Sequence, residues 1–254
     1  MSSAAELDEL RNTVALSCRI LAMHGLAEGI TGHVSARVPG AEGEMFIRCR
    51  GDDEYGVLYT GPEAVRRVTF DGEGAGLDAA HEKPLELPIH GELLRARPDM
   101  NAVVHGHPKS VLLCGMAGIE LKPVYGAFDP SGLALALEGV PVFPRSVLIR
   151  TQELGRALVD AMGSKNVCIL RGHGIAVVGR SVEEATLRAL RLERLADVCW
   201  QLATVTGGKL PEILPEDQAA FGARAGAGGG LPRGEEWTWR HYVRLLEDAE
   251  RAKR

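Results

Sequence analysis

Arg97-Pro98-Asp99-Met100-Asn101-Ala102-Val103-Val104-His105-Gly106-His107-Pro108 is the stretch that decides how this chain is read. Residues 101–104 run apolar, as a buried strand does, and deliver directly into two histidines at spacing two. Side chains two apart on an extended chain point to the same side, so His105 and His107 can share one ligand. Upstream, residues 85–97 carry apolar side chains at helical spacing, and Pro98-Asp99 ends that helix. Downstream, Pro108 stands where a helix would start.

The same alternation of element types extends outward. A second buried strand, 167–170, ends at Arg171-Gly172-His173-Gly174; 175–178 is strand-like, and Ser181 with Glu184 forms a capping-box pattern that opens a long helix to about residue 205. Toward the N-terminus, 6–24 has the apolar spacing of an amphipathic helix, stopped by Gly25. Residues 33–38 then alternate, which predicts a strand with His33, Ser35 and Arg37 on one face, and a second strand at 45–50 puts Arg48 and Arg50 on a common face. Short strands are expected at 57–60 and 67–71, around a turn at Gly61-Pro62-Glu63, and again at 140–143 and 146–149, before a helix at 152–162. Residues 222–230 have the Gly and Ala content of a linker, and 232–253 reads as a terminal helix carrying Trp237, Trp239 and Tyr242. Strands and helices mix without strict βαβ order, so the expected fold is α/β, helices sandwiching a mainly antiparallel sheet. The expected division is a catalytic domain over 1–210 and a C-terminal tail over 211–254.

Bulk properties narrow the function. With 45% hydrophobic and 25% charged residues in 254, the chain is neither fibrous nor disordered in composition, and one main domain accommodates it. A net charge of −5 without a dense basic block argues against nucleic acid as partner, and leaves small anions open. No apolar run approaches the roughly 18 to 20 residues of a membrane span, and the start MSSAAELDEL is acidic where a secretory signal would be basic, so a cytoplasmic location is expected. Cys18, Cys49, Cys114, Cys168 and Cys199 are widely spaced in apolar surroundings, as buried free thiols are.

A His-x-His pair by itself is more often a surface pair than a metal site, so a third ligand is needed. His173 is the candidate third ligand, because Gly172 and Gly174 on either side let the backbone approach something closely; a turn histidine is the plain alternative. Three histidines leave coordination positions open, the arrangement of a catalytic rather than a structural metal. Glu86, set in Pro84-Leu85-Glu86-Leu87-Pro88-Ile89-His90, has apolar neighbours that would raise a carboxyl pKa toward the range useful for proton transfer, although a helix N-terminus also accounts for a carboxylate there. His90 is expected to be structural.

Taken together, the Arg97 to Pro108 run, Arg171-Gly172-His173-Gly174, Gly32-His33-Val34-Ser35-Ala36-Arg37 and the segment around Glu86 resemble the class II aldolase/adducin family over about residues 8–206. The resemblance implies an α/β/α sandwich, usually a homotetramer with sites at subunit interfaces, and one divalent metal ion per subunit, whether Zn, Mn, Fe or Mg. Carried over by position, it implies His105, His107 and His173 as metal ligands and Glu86 as the acid/base group. Adducin-like members lack the metal set, so an intact one favours an enzyme. Sugar-phosphate aldolases of the family hold phosphate with an Asn and a serine pair where this chain has His33 and Pro84-Leu85, which puts a sugar-phosphate substrate in doubt. The remaining cationic groups, His33, Arg37, Arg48 and Arg50, with Ser35, are the expected binders of a small anionic substrate. Gly32 to Arg37, Arg48 to Thr60 and Pro141 to Ser146 are most similar to a branch that decarboxylates hydroxylated aromatic dicarboxylates such as dihydroxyphthalate. A metal-dependent lyase of that kind is expected, with an aldolase of small hydroxy-keto acids or sugars second and a non-catalytic adducin-like protein third.

Overall fold

The computed structural model describes residues 3–74, 76–78, 80–222 and 233–252. Ser3 caps the first helix, α1 (Ala4–Met23), in a full capping box with Glu6. Strands β1 (His33–Arg37) and β2 (Glu44–Arg48) follow, then a two-residue strand β3 (Arg50–Gly51), β4 (Val65–Thr69) and β5 (His81–Glu82). Helix α2 (Leu87–Ala96) leads to β6 (Ala102–Gly106), α3 (Lys109–Ala117), α4 (Pro130–Glu138) and β7 (Val142–Phe143). Then come α5 (Gln152–Met162), β8 (Val167–Leu170), β9 (Gly174–Gly179), α6 (Val182–Thr206), α7 (Pro215–Gly222) and α8 (Arg233–Ala252).

Seven strands form one sheet in the order β4-β2-β1-β6-β9-β8-β7, antiparallel at every pair except β7 with β8. Successive side chains leave opposite faces, and each face has its own core. Val34, Ala36, Phe46, Val104, Ile169 and Val177 pack under α1, α3, α4 and α6. Met45, Ile47, Val103, Leu170, Ala176 and Val178 pack under α2 and α5. Val103 and Val104 are fully buried on opposite sides, each contributing about 1.5–3 kcal/mol by burial. The expected α/β sandwich around a mainly antiparallel sheet is what forms.

Several local expectations are corrected. Residues 57–60 are not a strand: Val57–Tyr59 is a 3-10 turn, closed where both the amide and the hydroxyl of Thr60 donate to the Val57 carbonyl. The strand expected at 45–50 ends at Arg48, and Arg50 belongs to a separate ribbon with β5, so the two arginines share no strand face. Residues 146–149 form no strand, for reasons that lie in the site. In the Ser181 box only half is made as expected: Ser181 accepts from the Glu184 amide, while the Glu184 carboxylate reaches the Arg180 amide. Helix α4 escaped the sequence reading although its signal, Asp129 as cap with Pro130 at the first turn, is present.

Most of the linker composition at 222–230 lies outside the described residues. Helix α8 packs back on the main body, burying Tyr242 and Leu246 in the α1 and α6 core, with Arg19–Glu250 and Arg191–Glu235 ion pairs at 2.7 Å. Tyr242 meets its own chain's His24 edge-on. All five cysteines are buried free thiols.

Candidate metal centre

The sheet and α2 bring His105, His107, His173 and Glu86 together, with one ligand atom from each lying within 4.8 Å of all the others. His105 sits on central strand β6, opposite His33 of β1 on one side and Ala176 of β9 on the other. His107 follows where β6 ends, its amide held by the Leu26 carbonyl at 2.7 Å. His173 occupies the turn between β8 and β9, and Glu86 is the N-cap position of α2. Two glycines permit this convergence. A Cβ on Gly174 would stand 2.1 Å from the Gly106 carbonyl oxygen, and Gly172 has φ +64.

The hydrogen bonds around the cluster set its chemistry. His105 Nδ1 donates to the Ile175 carbonyl at 2.9 Å, which leaves the Nε2 lone pair of the neutral ring aimed inward. There it meets Glu86 Oε2 at 3.3 Å and His107 Nε2 at 3.2 Å. His173 Nε2 is also 3.3 Å from Glu86 Oε2, and both buried ring nitrogens of His173 lack a hydrogen-bond partner among the described residues. A proton on His107 could serve one of these contacts; the rest set lone pair against lone pair. Acceptors gathered in this way fit a divalent cation, and imidazole with carboxylate suits zinc, manganese or iron.

Charge follows from the same geometry. Burial lowers His107 to about 4, helped by His105 and His173, which holds it in the neutral form a metal requires. Glu86 departs from its sequence-based expectation. Burial alone would raise it, but positive charge placed among His105 and His173 outweighs that effect and holds it below the ordinary carboxylate range. Its apolar sequence neighbours therefore do not decide its charge. The Ile149 amide donates to Glu86 Oε1 at 2.8 Å and fixes the carboxylate with Oε2 toward the histidines. That bond is why 146–149 is no strand: Ile149 serves Glu86, and the Ser146 hydroxyl donates to the Gly172 carbonyl at 3.1 Å.

The expected anion binders separate. His33 is stacked beside His105, ring centres 5.9 Å apart and planes 15° apart, with its Nδ1 buried and unpartnered among the described residues. Ser35 is buried and bonded to His90 Nδ1 at 2.8 Å. The Arg37 guanidinium caps α2, donating to the carbonyls of Leu94, Arg97 and Met100. Arg48 is 1% exposed and leaves the opposite, α1 face of β2, where it holds Thr60 Oγ1 at 2.9 Å and the Glu54 carboxylate at 2.6 Å. Arg50, on its separate ribbon, keeps an unpartnered buried Nε among the described residues. His33 alone of these is at the cluster.

His90 has the structural place expected of it, fully buried behind His33, and burial lowers it to about 3. Its unfolded value lies near 6.5, so the unfolded chain gains a proton there that the native chain refuses. The stability is therefore fully present above about pH 6.5 and lost as pH falls toward 3, by about 2 kcal/mol at pH 5. Denaturant titrations of metal-free protein between pH 7.5 and 5 are expected to show this decline, and His90→Gln should make it shallower, leaving the share of the likewise depressed His33 and His107. An equal slope in the variant would assign the loss elsewhere.

Comparison with known proteins agrees with the geometry. The sequence profile of the Class II Aldolase and Adducin N-terminal domain matches residues 12–200. The chain is 42% identical over 242 residues to a 3,4-dihydroxyphthalate decarboxylase of Arthrobacter keyseri, covering 94% of each. It is 44% identical over 245 residues to one of Rhodococcus jostii strain RHA1, covering 94% of this chain and 96% of that one. An aldolase II superfamily protein of known structure from Pseudomonas syringae matches with a TM-score of 0.82 at 25% identity, over 98% of this chain and 95% of the other. Sequence, sheet order and the ends of β6 and β8 thus point the same way, and the chain belongs to the class II aldolase/adducin family.

Proposed function

We propose that the protein is a metal-dependent carboxy-lyase that removes one carboxylate from a hydroxylated aromatic dicarboxylate of the 3,4-dihydroxyphthalate type. The observation that carries this is near full-length similarity to two 3,4-dihydroxyphthalate decarboxylases in a chain that also gathers three imidazoles and a carboxylate. His105, His107 and His173 would hold the metal. A divalent ion there supplies Lewis-acid stabilisation of the charge that decarboxylation leaves beside a substrate oxygen.

The side chains move the proton. Glu86 is ionised at rest, so it acts first as a base: Oε2, on the side away from the Ile149 amide, takes the proton of the substrate's ring hydroxyl. The same oxygen delivers that proton to the ring carbon as carbon dioxide leaves, so Glu86 ends ionised as it began and the product phenolate takes one proton from solvent. His33, buried against His105, borders the space beside the cluster and limits what can lie there. On the family resemblance alone, we extend the proposal to a homotetramer acting in the cytoplasm.

The test is incubation of metal-reconstituted protein with ortho-hydroxy aromatic dicarboxylates, including 3,4-dihydroxyphthalate, beside sugar-phosphate aldols. Carbon dioxide release from the aromatic set is expected. Aldehyde from the aldols with no carbon dioxide from any aromatic would replace the decarboxylase by an aldolase.

A further inference from the structure

The arginines of this chain divide sharply by whether they have a partner. Arg37, Arg48, Arg66, Arg67, Arg95 and Arg97 are each held by carbonyls or carboxylates. Among the described residues, the guanidinium groups of Arg145, Arg150 and Arg171 are exposed and have neither a hydrogen bond nor an ion pair. All three lie on two segments that meet the cluster, 143–150 through the Ile149 amide on Glu86 and 171–173 through His173. Arg150 follows Ile149, whose amide grips Glu86, and Arg171 precedes Gly172-His173. Arg145 precedes Ser146, whose hydroxyl is bonded to Gly172; the Arg171 amide donates to the Phe143 carbonyl at 3.0 Å. These bonds fasten 143–150 across the His173 turn, so three unneutralised charges are carried on backbone already fixed beside the cluster.

Exposed apolar groups adjoin the two residues of the Glu86–Ile149 contact. Leu148 is 47% exposed and adjoins Ile149; Leu85 is 57% exposed and adjoins Glu86. An unpaired cation beside exposed leucine suits a ligand that is flat and apolar at its centre and anionic at its edge.

We infer that Arg145, Arg150 and Arg171 form the subsite for the carboxylate that the substrate keeps, with Leu85 and Leu148 against its ring. This rests on the proposed decarboxylation for the identity of the substrate, but it transfers anion recognition from the arginines of β1 and β2 to the rim of the metal centre. Guanidinium binds carboxylate through paired donors, and hydrogen bonds to a charged group are the strong ones.

The test uses full-length, metal-loaded protein with Arg→Gln at 145, 150 and 171, singly and together, and Arg156→Gln on α5 as control. Phthalate, which has both carboxylates and no hydroxyl, is titrated by calorimetry; KM and kcat are measured for 3,4-dihydroxyphthalate and for 2,3-dihydroxybenzoate, which lacks the second carboxylate. In the triple variant the phthalate Kd and the dicarboxylate KM are expected to rise at least about 10- to 100-fold, with kcat and the monocarboxylate KM within about threefold. Arg156→Gln should change neither. A triple variant that binds phthalate within about twofold of the parent, or a parent that does not bind it at millimolar concentration, overturns the subsite. Arginine-dependent phthalate binding without carbon dioxide release from any aromatic would uphold the subsite and overturn the decarboxylase.

Discussion

Glu86→Gln is expected to lower kcat by about 10²- to 10⁴-fold, the cost of losing a positioned proton-transfer group, while the divalent ion stays bound. The amide retains an oxygen to accept the Ile149 N–H, which lies 2.8 Å from Glu86 Oε1, so the side chain keeps its place. What it loses is the capacity to take up a proton and return it. Binding should suffer less than turnover, because the three imidazoles are unchanged. Initial rates of carbon dioxide release from 3,4-dihydroxyphthalate, read beside elemental analysis of the purified variant, separate the two effects. Turnover close to the parent's would remove Glu86 from the reaction.

His173→Ala should have the larger effect on metal itself, with ion affinity falling beyond the about 10- to 100-fold typical of groups that only support a ligand, and activity falling with it. This position gives a clean result because the turn does not depend on the ring. The backbone amide of His173 donates to the Leu170 carbonyl at 2.9 Å, and both ring nitrogens lack hydrogen-bond partners among the described residues. His105→Ala is a poorer test, since it strands the Ile175 carbonyl and empties a buried site in the central strand. Competition against a chelator of known affinity measures the loss, and excess metal should restore part of the activity. Affinity equal to the parent's would remove His173 from the donor set.

The strands ending in histidine were legible because burial writes itself into sequence as apolar runs, and 101–104 and 167–170 are such runs bounded by glycine. The face assigned to His33 was legible for the same reason, since alternation along β1 is local. Whether a guanidinium is free is not local. Arg37 is occupied by carbonyls at the end of a helix nearly sixty residues away. Glu86 shows the same limit in its charge: its neighbours in sequence are apolar, but its neighbours in space are imidazoles from a central strand and from the turn after β8. The strand expected at 146–149 was misread because Val147, Leu148 and Ile149 look like strand residues, whereas the Ile149 amide grips Glu86 and the Ser146 hydroxyl holds the His173 turn.

The central position of β6 has a consequence for how the metal comes and goes. Bonded to β1 on one side and β9 on the other, and buried along its whole length, it belongs to the part of the molecule that opens only when the whole fold does. Breathing of the sheet therefore gives an ion no exit. An ion held there would exchange on the side of His107 and His173, the half-buried members of the cluster.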